Sequence, residues 1–145
     1  KERFTRYLPF YTLTAAAEKF GGGDAKEEGW IEATPDHRPK KTMFVVRIMD
    51  RSMEPILEED SLGVFDSSVP DTADGLILMV RSGKIDDPDG ITIRRCHFSG
   101  RTETGKTFRY RELRMEPENP EYKTIVLKNV ASGDFKIVGR YVSGI

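Results

Sequence analysis

A mainly β domain is the fold class the chain predicts, on three observations. From residue 43 onward, short runs rich in β-branched and aromatic residues recur. Gly, Pro, Asp and Asn clusters separate them about every ten residues. No internal repeat or low-complexity tract interrupts the series. The runs are 43–49, 61–66, 75–81, 91–98, 107–115, 123–128 and 135–143, seven strands in all. Seven short strands with regular turn signals describe an all-β domain of mostly antiparallel pairing.

Taken in order, residues 1–40 are the least regular. Residues 1–14 alternate enough to be partly extended, and 15–20 read as a short helical turn. Gly21-Gly22-Gly23-Asp24 opens a flexible polar loop that runs to Gly29. Trp30-Ile31-Glu32 reads as a brief strand and 35–41 as a linker. The apolar stretch Met43-Phe44-Val45-Val46-Arg47-Ile48 then ends on a polar corner, Met49-Asp50-Arg51-Ser52-Met53-Glu54-Pro55. That corner holds Ser52 from one side by a strand and leaves its hydroxyl free to meet a substrate. Residues 54–60 read as a helical turn. A Gly/Asp/Pro-rich loop, 82–90, precedes the strand Ile91-Thr92-Ile93-Arg94-Arg95, and 101–106 read as a hairpin tip. Pro117-Glu118-Asn119-Pro120 turns into the strand from 123. The last strand, 135–143, is apolar at both parities (Phe135, Ile137 and Tyr141; Val138 and Val142), so it is either fully buried or paired with a neighbour.

Composition bounds the function. The chain has 145 residues, one domain with a single core. Lys+Arg 23 against Asp+Glu 24 gives a net charge of −1, so no global field favours nucleic acid. The basic residues Arg94, Arg95, Arg101, Lys106, Arg109, Arg111 and Arg114 have Glu103, Glu112 and Glu116 interleaved, which describes a mixed-charge solvated face. Direct nucleic-acid binding is therefore not expected. One Cys excludes an internal disulfide and suits a reducing cytoplasm, and Cys96 reads as a small apolar core residue. One Cys and two His make no zinc set, and neither metal nor cofactor is expected. No apolar run reaches the length of a membrane span. The first residue is Lys1 rather than Met, so a piece of a longer protein or a processed product is expected.

A serine becomes a nucleophile only with a base beside it, because a free hydroxyl is almost fully protonated at neutral pH. The ordered series Leu8-Pro9-Phe10, Ala15-Ala16-Ala17, Ser52-Met53-Glu54-Pro55, Thr92-Ile93-Arg94-Arg95 and the closing run from Phe135 resembles the carboxy-terminal domain of the LexA and UmuD family. These are self-cleaving Ser–Lys peptidases. The likeness covers about Leu8 to Ile145 and looks closest to versions fused to larger DNA-handling proteins such as helicases. It implies an elongated LexA-like fold in which 1–40 is cleavage-site segment and linker and 41–145 is catalytic core. It places Ser52 at the nucleophile, with the backbone N–H groups of Ser52 and Arg51 toward the oxyanion, and it places self-cleavage at Ala16–Ala17. It further implies a homodimer through the carboxy-terminal strands, and partnership with the chain's own cleavage segment and with the rest of a DNA-damage or defence protein.

Two departures from the family pattern matter. The family's general base is a Lys in a Thr-Val-Lys-Arg strand, and here that position is Arg94. A buried Lys is a base because desolvation lowers its pKa, whereas a guanidinium stays protonated and only donates. The family also has Gly two residues before the Ser, where this chain has Asp50, and the Ser52 N–H is expected to be displaced. Other bases are poor: Lys84 falls in a solvated loop, His97 faces away from Arg94 on a strand, and His37 lies in a Pro-flanked loop. Three classes remain: an active or residually active peptidase, a silent peptidase fold kept as a regulatory or docking module, and an unrelated nucleic-acid-binding β-domain.

Overall fold

The computed structural model describes residues 3–4, 6–32, 38–70, 73–86 and 88–145. His37 and part of the expected linker 35–41 lie outside these residues. Nine strands form one sheet: β1 (Tyr7–Tyr11), β2 (Gly29–Glu32), β3 (Met43–Arg47), β4 (Leu62–Asp66), β5 (Ile77–Arg81), β6 (Ile91–Thr104), β7 (Thr107–Glu116), β8 (Ile125–Ala131) and β9 (Lys136–Gly144). Their order across the sheet is β2-β1-β3-β4-β9-β5-β6-β7-β8. All neighbours are antiparallel except β1 and β3, which run parallel. The mainly β class is thus observed: besides the seven runs from residue 43, β2 matches the brief strand expected at Trp30-Ile31-Glu32, and β1 falls in the stretch read as partly extended.

The continuous apolar runs explain the middle of the sheet. Met43, Phe44, Val45 and Val46 are all buried, as are Ile77 to Val80, because side chains on both faces meet other apolar groups. On one face Phe44, Val46, Phe65, Met79, Ile91 and Ile93 form a cluster. On the opposite face Leu78, Val80, Cys96, Leu113 and Met115 form a second. The α-helix α1 (Leu13–Lys19) closes the first cluster with Ala16 and Ala17, both fully buried. Alanine suits that contact, since it loses no rotamer freedom in a helix and lets the backbone come close to the sheet. Thr12 caps α1 by accepting from the Ala15 N–H at 3.1 Å.

Several boundaries differ from the sequence reading, among them β6, which runs on to Thr104, and β8, which is shifted to Ile125–Ala131; two differences have a clear local cause. The helix begins at Leu13, earlier than expected, because the Thr12 cap starts it there. The hairpin tip is not 101–106: Thr104 pairs with Thr107, leaving a two-residue loop. Gly105, at φ +63, supplies the left-handed conformation such a tight loop requires, so the polar residues before it stay in the strand. The closing strand, apolar at both parities, lies between β4 and β5 and is hydrogen-bonded on both edges.

Candidate active site

Ser52 lies just beyond β3, where the chain leaves the sheet in a run of turns. Its N–H donates to Asp50 Oδ1 at 3.0 Å, the bond of an Asx turn, and its hydroxyl donates to the same oxygen at 2.7 Å. Met53 and Leu57 anchor the following turn in the core, and the Leu57 N–H reaches the Met53 carbonyl at 3.0 Å as a single helical turn. Asp50 is not among the residues with positive φ. Its effect on the Ser52 N–H therefore comes through the carboxylate and not through the backbone angle that its type suggested.

The hydroxyl is not free, as the sequence reading expected, but buried: Ser52 is 1% exposed. The segment after β7 explains this. The Asn119 N–H donates to the Ser52 carbonyl at 3.0 Å and Asn119 Nδ2 to the Arg51 carbonyl at 3.0 Å. The Arg51 N–H donates to the Tyr122 hydroxyl at 3.3 Å. The two backbone amides expected at the oxyanion are therefore both engaged, one by Asp50 and one by Tyr122. What remains beside Ser52 is a recess of about 30 Å³, lined by Leu13, Met49, Asp50, Met53 and residues 91–93 of β6. That volume is about the share of one liquid water. The Thr92 hydroxyl, also in its wall, is buried without a hydrogen-bond partner among the described residues.

Arg94 sits on β6, on the face that also presents Thr92 and Cys96, opposite Leu78 of β5. It is 3% exposed. Its Nη1 donates to the Lys123 carbonyl at 2.8 Å, and the guanidinium carbon lies 5.9 Å from the Tyr122 ring centroid. Tyr122 thus lies between Arg94 and the Ser52 turn: its ring faces Arg94, and its hydroxyl accepts from the amide of Arg51, the residue before Ser52. The alternative bases are occupied elsewhere. Lys84 Nζ is 3.6 Å from Asp134, and His97 Nε2 is 3.1 Å from Glu116, both half-exposed.

The expected cleavage segment lies within α1. Leu13 reaches the recess wall, while Ala16 and Ala17 pack into the core. The Ala16 carbonyl, which would be the scissile one of Ala16–Ala17, accepts from the Phe20 N–H at 2.9 Å. Attack there requires the helix to unwind. Three of the arginines in the basic cluster pair with carboxylates within the chain: Arg95 with Glu118 at 2.9 Å, Arg101 with Glu103 at 2.9 Å and Arg114 with Glu112 at 3.2 Å. Cys96 is fully buried, and burial pushes its thiol up to about 12.

Sequence reasoning missed Asp50 as the partner of the Ser52 hydroxyl, and it missed Thr92, Asn119 and Tyr122. An Asp two residues before a Ser is a recognised turn pattern and could have shown the first. Asn119 and Arg51 are separated by 68 residues, and nothing local announces their contact.

Among the described residues, no helix is long and apolar enough to cross a membrane, and no group of three or more His, Cys, Asp or Glu could hold a metal ion. No curated protein matches the sequence significantly. A family model described as Peptidase S24-like matches residues 11–142, which includes α1, the Ser52 turn, β6 and nearly all of β9. The chain therefore belongs to the Peptidase S24-like family, the LexA/UmuD-like peptidases.

Proposed function

We propose that this is a LexA-like serine peptidase domain with Ser52 in the nucleophile position and its self-cleavage segment at Ala16–Ala17, silenced or strongly weakened because Arg94 replaces the base. The carrying observation is the bond from Arg94 Nη1 to the Lys123 carbonyl at 2.8 Å. It is a donor contact in a buried setting, the role a guanidinium can fill, and it is not proton acceptance. The Ser52 hydroxyl donates to Asp50, and the Ala16 carbonyl is tied into α1. Both support a resting state that does not react.

A second reading is a non-catalytic regulatory or dimerisation module of a larger DNA-damage or defence protein in the cytoplasm. The closed geometry of the Ser52 turn favours it. Both edges of β9 are taken, so a second copy would meet the closing strand through its faces and not by adding a strand.

The test compares the native chain, Arg94→Lys, and Arg94→Lys with Ser52→Ala from about pH 7 to about pH 10, a range approaching the ordinary lysine pKa. Intact masses report cleavage. The native chain stays whole, Arg94→Lys cleaves slowly near Ala16–Ala17 and faster as pH rises, and Ser52→Ala abolishes this. Failure of Arg94→Lys to cleave at any pH leaves the regulatory reading.

A further inference from the structure

We propose that Asp50 is a second brake on the site, independent of Arg94, because its carboxylate fills the oxyanion position of Ser52. The proposal rests on the reading of Ser52 as nucleophile and extends it.

Attack of a hydroxyl on a carbonyl creates an oxyanion that must meet preorganised donors at about 2.7–3.1 Å. The backbone N–H of the nucleophile is one such donor in the family geometry. In this chain that N–H already holds an oxygen, Asp50 Oδ1, at 3.0 Å. The oxygen therefore sits where a developing oxyanion would sit, and it is itself anionic when the carboxyl is ionised. An incoming substrate carbonyl has to displace it. If the carboxylate only steps aside, two negative charges face each other in a recess of about 30 Å³ beside a buried serine, where solvent screens them less than at the open surface.

The same Oδ1 also accepts the Ser52 hydroxyl proton at 2.7 Å, so one atom occupies both the donor and the nucleophile of the site. Arg94 cannot relieve either contact by taking a proton. Restoring a base alone thus leaves the oxyanion site filled. Glycine at this position would leave the N–H without the side-chain acceptor, and the backbone there is compatible with either residue, since Asp50 has no positive φ.

The experiment uses a small alkyl fluorophosphonate, which needs both an activated hydroxyl and an oxyanion donor; it requires Leu13 at the start of α1 to yield but leaves the Ala16–Ala17 bond in its helix. The Ser52 Oγ–P bond forms, the P–F bond breaks, fluoride leaves with the electron pair, and the hydroxyl proton passes to the introduced lysine amine. Labelling rates are followed by intact mass at mildly alkaline pH. The proteins are the native chain, Asp50→Ala, Arg94→Lys, Arg94→Lys with Asp50→Gly, Arg94→Lys with Asp50→Asn, and the Ser52→Ala control. Circular dichroism confirms that each is folded.

The expected result is labelling of Arg94→Lys, accelerated about 100-fold by adding Asp50→Gly, the scale of one oxyanion donor. Asp50→Asn, which keeps an acceptor but loses the charge, falls between them. It decides the matter if the glycine variant does not fold. Equal rates with and without the Asp50 substitutions overturn the brake and leave Ser52 as nucleophile. Labelling of the native chain that is lost in Asp50→Ala shows that Asp50 is the base, which also overturns it. Absence of labelling in every folded protein, also when Leu13→Ala is added to open the recess, overturns the nucleophile reading and the brake with it.

Discussion

Arg94 and Tyr122 meet with the guanidinium carbon 5.9 Å from the ring centroid, while the same guanidinium donates to the Lys123 carbonyl next along the chain. The residue in the base position thereby props the segment that covers the Ser52 turn. Its chemical and its mechanical roles can be separated by substitution.

Arg94→Ala should destabilise the fold by about 2–4 kcal/mol, combining a lost charged hydrogen bond with a cavity in the core. Thermal unfolding reads this directly. Arg94→Lys should cost less, because the lysine stem fills most of the same space. A melting temperature unchanged by alanine would show that Arg94 does not support the segment from Asn119 to Lys123.

Gly90 precedes β6 at φ +66, and a Cβ there would come within 2.5 Å of the Ser82 carbonyl oxygen. That contact is backbone on backbone, so it cannot be relieved by a rotamer change. Gly90→Ala should lose about 2 kcal/mol or more, from the left-handed angle together with the clash. Amide exchange of β6 should rise in the same variant. Stability equal to the parent would contradict the geometry at the entrance to this strand.

Cys96 should be silent toward thiol reagents. Its pKa is pushed up to about 12 by burial, so the reactive thiolate is scarce well into the alkaline range. Labelling with an aromatic disulfide at pH values near 8 should follow global unfolding and accelerate in denaturant. Rapid labelling of the folded protein would show that the second core cluster opens locally.

Glu54 is held below the ordinary carboxylate range, chiefly by its hydrogen bond from Arg51 and next by the Glu59 N–H. A depressed folded pKa means that the contribution is complete above the unfolded value, near 4.3, and is lost as pH falls through the folded one. Acid-side stability should therefore be less pH-dependent in Glu54→Gln than in the parent. Solvent screening keeps the effect small at this exposed group. An NMR titration of the Glu54 carboxyl with an ordinary midpoint would refute it.

Strand positions were legible because apolar runs and turn residues are local signals. The runs at 43–49 and 75–81 became β3 and β5, trimmed at their ends. β2 was legible as a brief strand at Trp30-Ile31-Glu32, whereas β1 was faint because it is short and joins the sheet by pairing in parallel with β3, far along the chain. At the site, the residue types at 52 and 94 were readable. The seclusion of Ser52 was not, since it comes from Asn119 and Tyr122, whose approach depends on the whole sheet being assembled.

That assembly imposes an order in time. Within the sheet, β4 and β5 meet only through β9, which emerges from the ribosome after both. The strands bearing the Ser52 turn and those bearing Arg94 thus belong to two half-sheets with an open seam between them until β9 inserts. Without β9 each half-sheet has an unpaired edge, and closing the seam requires contacts between residues distant in sequence, the slow kind in folding. β9 is the hydrogen-bonded link between the half-sheet that leads into the Ser52 turn and the half-sheet that bears Arg94, and it adds to the direct contact of that turn with residues 91–93 and with Asn119.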